Sequence, residues 1–186
     1  QGIKRDGLYG FVDAKGRLRI ANRYEDIGQF KEGLAPVKIL GKWGFVNTND
    51  NITINPDFES AQEFEDGLAI VKRNGKTGFI NKEGKTILPL RYDLVERLTA
   101  NKFLIMTGTR HGLSDDKGNV LIEPRFDKIQ DLQNGYVIVE QDKKFGLLTL
   151  EGLSTIPLTY DKLIYDGERN LYLGLKRMAW LTPELN

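Results

Sequence analysis

Five glycines, Gly10, Gly44, Gly78, Gly112 and Gly146, stand 34 residues apart, and their surroundings recur with them. A large apolar residue follows each one: Phe11, Phe45, Phe79, Leu113 and Leu147. Six residues after the anchor come Gly16, Asp50, Gly84, Gly118 and Gly152; ten after it come Ile20, Ile54, Leu88, Ile122 and Ile156. Fourteen after it stands an aromatic residue (Tyr24, Phe58, Tyr92, Phe126, Tyr160), each followed by an acid (Glu25, Glu59, Asp93, Asp127, Asp161). Self-similarity at such a period marks a repeat architecture, in which a unit cannot bury its apolar face without a neighbour. The chain, 1–186, therefore reads as one repeat domain. It holds five copies, at about 7–40, 41–74, 75–108, 109–142 and 143–175, and a partial sixth at 176–186 with Ala179 in the glycine column.

The local chemistry is that of short strands. In RNGKTGFINKEGKTILP, Asn74-Gly75 suits a tight hairpin, because both central residues tolerate positive φ. The N/D-x-x-G stretches at Asn81–Gly84, Asp13–Gly16 and Asp115–Gly118 suit a type I turn closed by a left-handed residue, and Asp50 in that column tolerates the same region. Pro56, Pro89, Pro124 and Pro157 are expected where the next strand ends, since proline cannot donate to a ladder. A further piece, as in RYDLVERL and FESAQEF, is expected to be extended or irregular. No window carries a ten-residue amphipathic helix pattern. The fold class is all-β: tandem antiparallel β-meanders of about 34 residues. An open twisted array is preferred to a propeller-like ring, because about 40–45 residues are usual for a WD40 blade, and because both chain ends copy the same strand.

Composition narrows the partners. Basic and acidic residues number 27 and 26, a net charge of +1, so the basic excess of a nucleic-acid binder is absent. There is no cysteine, which removes disulfides and thiolate metal sites. Apolar runs of a few residues fall far short of a membrane-spanning helix. Residues 1–10 lack an apolar signal core, and the start inside a repeat is expected of a piece of a longer chain.

Lys42-Trp43-Gly44, and the longer stretch GFVNTNDNITINPDFESAQEFEDGLAIV, resemble the WG (or KWG) repeat. The resemblance extends over essentially the whole chain. It implies β-structure, a bacterial source, and a role in binding or scaffolding, with the cell envelope or secretion favoured over the cytoplasm. The tryptophan column departs from the family pattern, reading Tyr9, Trp43, Thr77, His111, Phe145 and Met178.

No catalytic constellation is expected. The recurring acids read as turn caps or ion-pair partners, since an active site needs one acid in an environment unlike its neighbour's. His111, the one histidine, cannot head a multi-histidine metal site; it alternates in direction with Ser114 along a strand and reads as structural. No cofactor or metal is expected. Trp43, Trp180, Tyr9, Tyr165 and Tyr172 are the candidate ligand-binding residues, as rings able to stack on sugars or anchor a protein. The leading expectation is a non-catalytic binding or scaffold module that engages a protein or glycan. The rival readings are a glycan-active hydrolase using Asp115, Asp116 and Glu123, and a purely structural spacer.

Overall fold

Each repeat folds as an antiparallel meander because two tight-turn signals separate its apolar runs. The computed structural model describes residues 2–177. It divides into two compact units, Gln1–Thr107 with Ser114–Asn119, and Gly108–Leu113 with Val120–Asn186. In the first unit, β1 (Gly2–Arg5), β2 (Leu8–Val12) and β3 (Leu18–Tyr24) form one sheet. The next is built from β4 (Asp26–Ile27), β5 (Leu34–Ile39), β6 (Lys42–Asn47) and β7 (Ile52–Phe58). A third holds β8 (Ser60–Ala61), β9 (Leu68–Arg73), β10 (Lys76–Asn81) and β11 (Thr86–Tyr92). Then come β12 (Leu94–Thr99), β13 (Lys102–Thr107), β14 (Arg110–Asp115) and β15 (Val120–Phe126), with the division between the units running through β14. The second unit continues with the sheet of β16 (Lys128–Asp131), β17 (Tyr136–Gln141), β18 (Lys144–Thr149) and β19 (Ser154–Tyr160), then the hairpin of β20 (Lys162–Asp166) and β21 (Leu171–Leu175). The fold is all-β, a tandem array of small open sheets, as expected. The sixth copy beyond Arg177 lies outside the described residues.

The anchor glycines answer to the third strand of each meander. Trp43 pairs with Phe58 and Phe45 with Ile54, so β7 uses four residues where β6 uses two. The surplus arches across Gly44, where a Cβ would lie 2.5 Å from the Ile54 carbonyl oxygen. Gly10, Gly78 and Gly112 meet the carbonyls of Ile20, Leu88 and Ile122 in the same way. The prolines sit inside these bulges, not at strand ends: β7 runs past Pro56 to Phe58, and β11 past Pro89 to Tyr92. A bulge asks for no ladder donor at that point, so proline is tolerated mid-strand.

The β4–β7 sheet buries both faces. Phe11, Ile20 and Tyr24 on the back of the first sheet pack against Ala35, Val37 and Val46 on the front of the second. The back of the second, Leu34, Phe45, Ile54 and Phe58, meets Ala69, Val71 and Ile80 on the front of the third, with Phe64 between them. Burying each of the larger aliphatic and phenylalanine side chains among these stabilises by about 1.5–3 kcal/mol. In the second unit the back of the β16–β19 sheet, through Ile138 and Leu147, packs on Leu163 of β20.

The piece left open as extended or irregular is both. β4 and β8 stop after two residues because the chain turns inward at Phe30 and Phe64, whose rings pack edge-on to Phe11 at 4.7 Å and tilted against Phe45 at 4.8 Å. Leu98 occupies the same column but stays exposed, and β12 runs on to Thr99.

The turns behave as their chemistry dictates. Asn81 Oδ1 accepts the amides of Glu83 and Lys85, and Asp115 Oδ1 those of Lys117 and Asn119. Asp50 takes the left-handed conformation (φ 63°), and its carboxylate accepts from Arg23 (2.8 Å) in the preceding repeat. The β5–β6 turn is an exception in composition: Leu40 holds φ 47° while 89% exposed. A left-handed non-glycine residue costs about 1–2 kcal/mol, and Leu40 recovers none of it through burial. Leu40→Asn, which restores the Asn-Gly pair of the β9–β10 turn, raises stability by about 1 kcal/mol, measured as a higher urea midpoint with an unchanged slope.

Candidate binding surfaces

The recurring acids have one structural task. Glu25 Oε2 accepts the Gly41 amide (3.0 Å) and Glu59 Oε2 the Gly75 amide (3.1 Å), each closing the hairpin turn of the following repeat. Aspartate, one methylene shorter, adds a cation: Asp127 accepts from the Asp142 amide and Arg110, and Asp161 from the Arg177 amide and Lys144. Asp93 pairs with Lys76. The Arg177 amide, helped by Lys144, holds the Asp161 carboxyl below the usual carboxylate range. These are partly exposed pairs of modest energy.

Asp115 is committed to its own turn, Asp116 is half-buried in the same turn, and Glu123 is exposed on β15. Ser114 is fully buried with an unpartnered hydroxyl, in the column that holds Val46, Ile80 and Leu148. Among the described residues no group of three or more metal-ligating side chains converges. No helix among them is long and apolar enough to cross a membrane.

The candidate aromatic residues among the described residues differ in what covers them. Trp43 is half-buried, packed on the cluster around Phe45 and Phe58. Tyr9 is half-buried opposite Tyr24, with the Lys4 ammonium 4.9 Å from its ring centre. Trp180 lies outside the described residues. Tyr165 and Tyr172 are brought together as cross-strand partners in β20–β21, their centroids 5.0 Å apart, with Tyr136 edge-on to Tyr172 at 6.5 Å. Tyr165 donates to Asn170 (3.0 Å), and Asn134 donates to the Tyr172 hydroxyl (3.4 Å). These rings stack on each other and on the Ile138–Leu147 cluster, so their faces are partly taken.

The more open feature lies on the reverse of the same hairpin. Ile164 pairs with Leu173, and Leu171 and Leu175 flank Leu173 at two-residue spacing, so the four side chains share one face. They are 48, 69, 57 and 55% exposed, in that order for Ile164, Leu173, Leu171 and Leu175. The stretch LYLGL carries the signal: apolar residues at both parities of a strand predict two apolar faces, and among the described residues only one has a packed neighbour. Reading the column of aromatic rings alone passes over it.

Four consecutive segments, 9–43, 43–76, 78–108 and 112–145, match the family model described as the WG containing repeat. No curated protein matches the chain. Among solved structures, KlHsv2 with loop 6CD replaced by a Gly-Ser linker is similar at 12% identity and a TM-score of 0.45, over 90% of this chain and 76% of that one. The extracellular domain of BT4673 from B. thetaiotaomicron is similar at 9% identity and a TM-score of 0.35, over 93% of this chain and 31% of that one.

Proposed function

Because the chain belongs to the family of WG-containing repeats, we propose that it is a non-catalytic binding module that engages another protein through the exposed face of β20–β21. The observation that carries this reading is the aliphatic face of Ile164, Leu171, Leu173 and Leu175, left in water while the other face of the hairpin is packed. A contiguous apolar patch of this kind marks an interaction site. Aliphatic side chains favour a protein over a glycan, which stacks on open aromatic rings. Elsewhere many recurring residues are committed: Glu25 and Glu59 cap turns, Tyr24, Phe58, Tyr92 and Phe126 are buried in the core, and the anchor glycines admit the bulges.

The test is a library of short extended peptides displayed on phage and panned against the 186-residue chain. Binders should emerge whose retention Leu173→Glu abolishes while the circular dichroism spectrum is unchanged. An absence of binders, or binders indifferent to that substitution, overturns the reading. Release of reducing ends from a polysaccharide panel, lost in Asp116→Asn, would establish the hydrolase instead.

A further inference from the structure

We infer that the chain holds a second recognition site, independent of the β20–β21 face: a groove between β15 and the β16–β19 sheet that takes the aspartate side chain of an extended peptide, with Arg125 as its cation. The first unit carries the precedent. There the Asp50 carboxylate reaches back to the preceding meander and accepts from the Arg23 guanidinium (2.8 Å), the Ala21 amide (3.2 Å) and the Tyr24 hydroxyl (3.3 Å). Arg23 stands thirteen residues after its anchor glycine and Asp50 six after the next, so these two columns meet between successive repeats. The equivalent pairs are Asp57 with Gly84, Arg91 with Gly118, and Arg125 with Gly152.

The later pairs treat their charge differently. Asp57 receives Arg73. Arg91 donates to the hydroxyl of its neighbour Tyr92, and Gly118 sits so close to β11 that a Cβ on it would run into the Ile87 carbonyl. Arg125 has neither arrangement. Its neighbour is Phe126, whose ring centre lies 4.8 Å from the guanidinium carbon and which brings no oxygen. Among the described residues no carboxylate or other acceptor meets that guanidinium. Gly152 stands further off than Gly118 does: the atom nearest to a Cβ there, the Leu121 carbonyl oxygen, would be 3.4 Å away. A cavity of about 400 Å³ opens at this point. Arg125 is the one charged group among the described residues that line it, and Gln141 and Ser154 add hydrogen-bonding groups. Those two stand where the second sheet has Ile39 and Ile52. Gln141 pairs with Lys144 as Ile39 does with Lys42, and Ser154 pairs with Leu148 as Ile52 does with Val46. Leu148, Pro157 and Leu158 supply apolar walls.

The Glu123 amide occupies the column of the Ala21 amide and offers a second donor, while the Glu123 side chain is exposed and does not line the cavity. A carboxylate is the anion that a guanidinium edge and an amide recognise together in the Asp50 contact, through charge-assisted hydrogen bonds. The cavity is larger than one carboxylate needs and falls in the range of small-ligand sites, so its apolar walls take the residue beside the acid. The occupant is an aspartate next to an apolar residue in an extended segment of a partner protein.

Nuclear magnetic resonance titration of the isotope-labelled 186-residue chain with a blocked Gly-Asp-Leu-Gly peptide tests this. The amide signals of Arg125, Gly152 and Ser154 should shift and saturate with a Kd of about 1 mM or below. Replacing the aspartate of the peptide by asparagine should weaken binding about tenfold or more, the loss expected of a charge-assisted hydrogen bond. Arg125→Gln should weaken it equally with an unchanged circular dichroism spectrum. Gly152→Asp should fold, because Asp50 holds the same column at φ 63° where Gly152 has φ 81°; its new carboxylate should engage Arg125 from within and exclude the peptide. The absence of a saturable shift up to about 10 mM peptide overturns the inference. So does equal affinity for the asparagine peptide, or binding that survives both variants. Acetate or inorganic phosphate binding as tightly as the peptide also overturns it, since neither reaches the apolar walls. Both variants lie outside the β20–β21 hairpin, so this site and that face stand or fall separately.

Discussion

Gly78→Ala destabilises the protein by at least about 3 kcal/mol, whereas Gly75→Ala, three residues earlier on the same hairpin, costs about 1–2 kcal/mol. The two glycines are needed for different reasons. Gly75 holds φ 71° in the turn, with nothing within 4 Å of where a Cβ would go, so its substitution brings backbone strain alone. Gly78 has no such φ; its Cβ would lie 2.3 Å from the Leu88 carbonyl oxygen and 2.9 Å from the Pro89 carbonyl carbon. Those atoms are main chain, held by the pairing of Thr77 with Tyr92 and of Phe79 with Leu88 on either side of the bulge. A flexible side chain could swing aside, but here the strand itself must lift. Lifting it uncovers Leu88 and Tyr92, both buried. Urea denaturation of the two variants side by side checks the claim, and equal losses would refute the close-approach account of the anchor column.

That contrast shows what the amino-acid order discloses. Turn chemistry is local, so Asn74-Gly75 and Asn81–Gly84 announce their conformations from a few residues, and φ 51° at Asn74 and 79° at Gly84 agree. The repeat period is legible because five copies average out the noise of any one. The acid column could be read from its recurrence as turn caps or ion-pair partners, and the Gly41 and Gly75 amides show the capping. The bulge could not be read. It depends on a register between strands, and Pro89 looks the same at the end of a strand as in the middle of one. The inward turn at Phe64, against the exposed Leu98 in the same column, likewise depends on what the neighbouring sheet offers. What covers the candidate rings could not be read for a related reason. A ring is conspicuous in a sequence, but whether its face meets water is a property of the next layer. Trp43 proves half-buried against the core, while Leu173 stands in the open.

Tyr92→Ala is expected to cost about 3–5 kcal/mol, the range for removing a buried aromatic side chain. Tyr92 is 2% exposed on the back of the third sheet, and its hydroxyl accepts from its neighbour Arg91 at 2.8 and 3.0 Å. The guanidinium also lies over the ring, 5.1 Å from its centre. Truncation therefore removes the packing, the hydrogen bonds and the cation–ring contact together. Tyr92→Phe separates them: it keeps the ring and loses only the hydroxyl, which is bonded at the edge of the core, and should cost about 1 kcal/mol. In a stack where each repeat is stabilised mainly by its neighbours, the loss at one layer spreads. Amide hydrogen exchange in Tyr92→Ala should accelerate in β9–β11 and in β12–β13, and less in β1–β3. A thermal midpoint that barely moves, or protection lost evenly along the first unit, would place Tyr92 outside the load shared between sheets. It would also remove the reason an aromatic residue recurs at that column in all five copies.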